Sequence, residues 1–315
     1  MSESPLVARF IASIESGAAN EELTYSTALL KELDGDDRLK AIAYLLARAD
    51  DGDRRAMETL GAVGRAETVE PLRRFAARPG PLGAVAARAV LDVEHRLGVP
   101  RQDPAMVRRI AQDVGSAGAI DAGMAAWRLR FSEGRDALDG LLDALLAPHD
   151  TTRANANLGL RDKLGLAPLI EPRQAPLFAL QMRLLCDLEA VWRPAAGRMH
   201  TLLRQLIDGA SPHDLGLVYV RASDEADIKA FWASADDSSR GWDLEAYGRL
   251  RGHDREWADA YLLAKTWDRD DTPAALVQLA IPGTREALAE AAGRVRLAGF
   301  PNPWRDALDA RDAAG

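Results

Sequence analysis

The chain has 315 residues, 47% of them apolar and 28% charged, so it can bury a core and stay in water. Its formal net charge is −8, which repels phosphate backbones and anionic membrane surfaces, and nucleic acid is not the expected partner. One cysteine, Cys186, excludes an intramolecular disulfide; MSESPLVARFIASIES has no basic stretch leading into an apolar run, and no window approaches the roughly eighteen uncharged apolar residues of a membrane span, so a cytoplasmic protein with no membrane segment is expected.

Residues 5–16 predict a first helix, with Ser4 as N-cap and Pro5 at the first helical position. Its stripe is Leu6, Phe10, Ile11 and Ile14, and it is expected to cap the open end of a stack. The stack announces itself as a repeat. Arg55-Ala56 opens RAMETLG and Arg153-Ala154 opens RANANLG, with Leu60-Gly61 and Leu158-Gly159 in register. Arg88-Ala89 lies 33 residues after Arg55, Asp121-Ala122 lies 33 after that, and Arg153 lies 32 further on. A fixed period of this size marks stacked supersecondary units. Each anchor sits on a stripe with helical spacing, such as Val85, Ala89 and Val93, or the shorter Ala154 and Leu158. A preceding helix belongs to each unit. Val69, Leu72, Arg73 and Ala76 mark one, and Leu138, Leu141, Leu142, Leu145 and Leu146 mark another. Gly61, Gly64, Pro79-Gly80-Pro81, Gly98 with Pro100, and Pro148 punctuate the units.

Short helices with one apolar face cannot bury it alone, so such pairs stack. At ETVEPLRRF with AARAVLDV, and at DALDGLLDALLAPHDTTRANANLGL, the chain resembles HEAT repeats, especially the short type also found in phycobilin lyase subunits. The resemblance covers about residues 38–170. It implies an all-α fold, an α-solenoid of antiparallel helical hairpins with a concave face that commonly holds a partner, and it specifies a scaffold rather than a chemistry. In such repeats the charged anchor braces adjacent units, and the alanine beside it allows close packing.

Residues 1–170 are therefore read as the repeat region with its capping helix, and 171–315 as a divergent helical region continuous with it, because no Ser/Gly/Pro-rich linker intervenes. Leu177, Leu180, Leu184, Leu185 and Leu188 predict one helix there, and Met199, Leu202, Leu203, Leu206 and Ile207 another. SPHDLGLVYVRAS carries strand-like Val218, Tyr219 and Val220. It also carries a capping box at Ser211 and Asp214 with Pro212 at the first helical position, and helix is the reading taken. Later helices are expected to start at Asp254, at Thr272-Pro273 and at Thr284, the last stopping at Gly299.

Two features of the second half suggest binding. Residues 151–210 hold eight Arg/Lys against five Asp/Glu, a basic belt of Arg153, Arg161, Lys163, Arg173, Arg183, Arg193, Arg198 and Arg204. It is either a set of solvated helix faces or a patch for an acidic ligand or partner. Trp232, Trp242, Trp257 and Trp267 cluster with Tyr247 and Tyr261, either as core filling or as interface anchors. Chemistry-bearing motifs are absent from the sequence. His95, His149, His200, His213 and His253 form no metal-binding spacing, and Cys186 in MRLLCDLEA reads as a buried thiol on an apolar helix face. Asp236-Asp237 and Asp270-Asp271 read as helix caps and turns. No cofactor or metal is expected. The leading expectation is a non-catalytic scaffold for a protein or peptide, with Arg183, Trp192, Arg193, Arg198, Arg204, Trp232, Trp242, Trp257, Tyr261 and Trp267 as candidate binding residues. The alternative is a HEAT-like enzyme or enzyme accessory, lyase-like or DNA glycosylase-like. It would use the basic belt together with Trp192-Arg193, or with Trp257 and Asp254, at a flipped base.

Overall fold

The computed structural model describes residues 4–16, 24–99, 102–115, 118–171, 175–237, 239, 241–266, 269, 271–279, 281–295 and 302–314. Every regular element among them is a helix, so the chain is all-α. None of the described helices is long and apolar enough to cross a membrane. The chain divides into two compact units, Met1–Leu141 and Leu142–Gly315. The expected boundary lay near residue 170, about one helix pair further along.

The first unit runs through α1 (Pro5–Glu15), α2 (Thr27–Glu32), α3 (Gly35–Asp50), α4 (Arg54–Val63), α5 (Ala66–Ala76), α6 (Pro81–Arg96), α7 (Pro104–Asp113), α8 (Ala119–Arg130) and the start of α9 (Arg135–Ala144). Consecutive helices pair as α3 with α4, α5 with α6 and α7 with α8. The second members of successive pairs then pack on one another, α4 on α6 and α6 on α8. Packing of this kind covers apolar faces that short helices cannot bury alone. α6 is the best-covered helix, with Val85, Ala89 and Val93 buried as the stripe predicts. Gly61 lets α4 come close. A Cβ there would lie 2.9 Å from the Ala89 Cα, nearer than real side chains approach. Gly64 ends α4 in the left-handed region at φ 67°, where glycine carries no Cβ penalty.

α1 starts after Ser4 with Pro5 at its first position and packs on α2 and α3. Its buried face is Val7, Phe10 and Ile14, while Leu6 is exposed and Ile11 half-buried. Leu6 lies one residue too early, which turns it off the buried face, and Val7 completes the 7, 10, 14 row.

The second unit continues through α10 (Asp150–Leu164), α11 (Ala167–Ile170), α12 (Pro176–Leu184), α13 (Glu189–Ile207), α14 (Glu225–Asp236), α15 (Leu244–Arg249), α16 (Gly252–Ala264), α17 (Thr272–Leu279), α18 (Thr284–Arg294) and α19 (Pro303–Ala314). α12 lies against both α13 and α16, α13 against α18, and α19 against α17 and α18. In α10 the buried row is Arg153, Ala156, Asn157 and Leu160, and Ala154 and Leu158 are only half-buried. The anchor arginine itself faces inward, which rotates the expected stripe by one residue. Cys186 is buried as expected, but in the turn after α12 rather than on a helix.

Residues 211–223 form no helix. The capping contact exists, since the Asp214 N–H donates to Ser211 Oγ at 3.1 Å. Gly216 at φ 64° then ends the turn, and the rest of the segment runs as an irregular strap over α16. Asp254 holds that strap. It is not a cap, because α16 begins two residues earlier with Arg251 as N-cap. Its buried carboxylate accepts from Tyr219 OH at 2.7 Å and from the N–H groups of Ala222 and Ser223, each at 3.0 Å. Thr272 and Thr284 are the first residues of α17 and α18 as the starts imply, but α18 ends at Arg294, well before Gly299. Pro100, Arg173, Trp267 and Gly299 lie outside the described residues.

Candidate functional site

The four repeat anchors are built into the frame. Arg88 on α6 is buried and reaches Glu58 on α4 at 3.1 Å and Asp121 on α8 at 2.9 Å, so one guanidinium ties three successive second helices. Asp121 also takes Arg54 at 2.6 Å. Burial pushes the Glu58 carboxyl up, and Arg88 pulls against that shift. Arg55 lies over the Tyr25 ring and donates to the Thr24 carbonyl. Arg153 donates to the carbonyls of Ala147, Pro148, Leu184 and Cys186, at 2.7 to 3.4 Å, and stacks on Trp192 with 4.0 Å to the ring centroid. These arginines are fasteners, and Arg153 leaves the basic belt as a surface cation.

The aromatic cluster of the second unit is core. Trp257 and Tyr247 are fully buried, Trp242 is buried, and Trp232 and Tyr261 are half-buried against them. Phe231 stands at the centre, 5.6 Å from Trp257 and 5.9 Å from Trp242 between ring centroids. Arg269 stacks on Trp242 at 4.0 Å, pairs with Asp271 at 2.9 Å and donates to the Ser234 carbonyl at 3.0 Å. Trp192 is also buried, so among the candidate tryptophans the described ones fill gaps between helices of unequal length rather than face solvent. Asp254 and Trp257, the pair suggested for base excision, are both enclosed.

The remaining candidate cations separate. Exposed Arg193 pairs with Glu189 one turn earlier at 2.5 Å, and Arg204 is half-buried on α13. Arg183 on α12 and Arg198 on α13 come together. Both line a cleft of about 280 Å³ with His253, Glu256 and Asp259, and both line a second of about 290 Å³ whose other walls are uncharged. Burial holds the Arg183 guanidinium below its ordinary value, Asp259 opposes that, and Arg198 adds to it. Asp259 is engaged by Tyr247 OH at 2.5 Å and Arg255 Nε at 3.3 Å.

The first unit displays a surface that the sequence reading passed over. α8 has two faces. Ala122, Gly123, Ala125, Ala126 and Leu129 are buried, and the opposite row is Ile120, Met124, Trp127 and Phe131. That row has i, i+4, i+7, i+11 spacing, yet Ile120 is 63% exposed, Trp127 40% and Phe131 46%. The Trp127 and Phe131 rings meet edge to face at 5.1 Å. The signal was available: small residues on one side of a helix and large apolar ones on the other mark a helix that packs closely by its small face and presents the large one.

Family models, curated proteins and solved structures give no match to this chain. Any functional reading therefore stands on the geometry of these surfaces.

Proposed function

We propose that this chain is a non-catalytic, HEAT-like helical-repeat scaffold that binds a protein or peptide partner through the apolar row of α8. The observation that carries this reading is the exposure of Ile120, Trp127 and Phe131 on one helix face. Single exposed apolar residues are ordinary, but a row of large ones including a tryptophan is costly to leave in water and marks interfaces. The braces around Arg88 and Asp121 support the reading, because a surface held on a pre-formed frame loses little conformational freedom on binding. The row suits an amphipathic helix or apolar peptide laid along α8.

A photo-crosslinking residue at position 131 tests this, with one at exposed Lys229 as control. In native lysate the reading expects a discrete cross-linked polypeptide from position 131 only, abolished by Trp127→Asp in the same chain. Identical background from both positions, unchanged by that substitution, contradicts it.

A further inference from the structure

The fully buried arginines Arg88, Arg128, Arg153 and Arg269 all have partners: Arg88 meets carboxylates, Arg153 meets carbonyls, and Arg128 and Arg269 meet both. Arg183 departs from this pattern. Its Nε, like those of Arg88 and Arg128, is shut off from solvent without a hydrogen bond, but unlike theirs its side chain makes no hydrogen bond or ion pair at all among the described residues. Arg198, its neighbour in the cleft walls, makes none either. Buried polar groups in folded proteins are almost always satisfied, and the half-buried guanidinium of Arg183, with no hydrogen bond from the chain, is free to take an anion. Asp259 and Glu256 share the 280 Å³ cleft with both arginines and favour the charge on Arg183 through space, but neither makes an ion pair with it, and Asp259 is occupied by Tyr247 and Arg255.

The 290 Å³ cleft has a complementary composition. Besides the two arginines its walls include Leu180, Val191, Pro194, Ala195, Leu263 and Pro282, with no carboxylate. Its size matches a small ligand. Pro194 lies inside α13 and has no N–H, so it donates no helical hydrogen bond to the carbonyl of Ala190, another cleft residue. The Ala190 N–H is taken by Glu290 at 2.7 Å.

We propose that this cleft binds a carboxylate carried on a short apolar body, with Arg183 and Arg198 as its anion contacts. Planar guanidinium groups match a carboxylate in geometry and charge, and the aliphatic walls match the body. Two sources carry that chemistry: a free short-chain acid, and the C-terminus of a peptide ending in an apolar residue. The peptide also brings an amide N–H for the Ala190 carbonyl. The site shares no residue with the α8 row, so it stands or falls independently of the scaffold reading.

Calorimetric titration of the full chain tests it, with N-acetyl-Ala-Leu, the C-terminal amide of that dipeptide, heptanoate and inorganic phosphate as probes. Saturable binding of at least one acid is expected, with the amide and the Arg198→Met chain each weaker by about tenfold or more, which is about 1.4 kcal/mol. Arg183→Met is expected to bind as weakly while melting no lower than the parent, because it removes a desolvated charge that makes no hydrogen bond or ion pair among the described residues. Tighter binding of the dipeptide than of heptanoate assigns the peptide source, and the reverse assigns the free acid. No saturable binding of either acid overturns the proposal. So do phosphate binding as tight as the acids, equal binding of acid and amide, and acid binding unchanged in Arg198→Met. Arg198 is exposed, so that variant keeps the test decisive whatever Arg183→Met does to folding.

Discussion

Arg88 on α6 and Arg183 on α12 are chemically identical side chains, and their surroundings give them opposite energetics. Arg88 neutralises two carboxylates, one of them buried Glu58. Removing one partner of a buried ion pair leaves the others uncompensated, so Arg88→Met is expected to lower unfolding free energy by about 3–5 kcal/mol. Arg183→Met strips away a desolvated charge that makes no hydrogen bond or ion pair among the described residues, and is expected to stay within about 1 kcal/mol of the parent or exceed it. Urea titration of the two variants side by side checks the contrast, and equal losses would refute it. Tyrosines give a second handle at this scale. Tyr219 is pushed up to about 12, first by burial and then by its hydrogen bond to Asp254, and burial with Asp259 raises Tyr247 too. A folded-state value above the unfolded 10.0 means the unfolded chain loses its proton first as pH rises. Stability is therefore flat below pH 10 in this respect and falls from there toward about 12. Urea midpoints taken across that window should decline, and Tyr219→Phe should remove part of the slope while Tyr25, Tyr44 and Tyr247, also raised, keep the rest. A midpoint that climbs instead rejects the assignment.

Among the elements, α4, α6 and α8 show how the sequence divides space. Gly61 against Ala89 sets the α4–α6 spacing, and a methyl group added there has no room. Gly61→Ala is expected to cost about 1–3 kcal/mol by overpacking, despite alanine's better helix propensity, as thermal or urea unfolding would show. α8 is the opposite case. Trp127→Ala with Phe131→Ala removes large side chains that already face water, so stability should shift by less than about 1 kcal/mol while partner cross-linking is lost. A large destabilisation would mean the row is structural. Periodicity is legible where small local rules govern: helix starts at Pro5, Thr272 and Thr284, the buried row of α6, and the left-handed glycine after α4. It misled at residues 211–223, where the local capping signal is real. What decides the segment there is a side chain about 35 residues away, the carboxylate of Asp254 collecting Tyr219, Ala222 and Ser223. No local pattern carries that contact. Apolar spacing alone also cannot tell a core row from a displayed one: the tryptophans around Trp257, open in the sequence between core and interface, are core, and the row around Trp127 is the displayed one.

For the molecule, the repeat period reappears as a reach. Arg55 contacts a group 31 residues back, Arg88 contacts groups 30 back and 33 ahead, and Arg153 contacts carbonyls 31 and 33 ahead. The three arginine anchors thus each reach about one sequence period, in both units, even though that period fades after residue 170. A frame fastened this way should respond to damage by neighbours rather than by single helices. Hydrogen–deuterium exchange of Arg88→Met under native conditions measures that directly. The account predicts that α4, α6 and α8 lose protection together. Faster exchange confined to α6, with α4 and α8 as slow as in the parent, would contradict it.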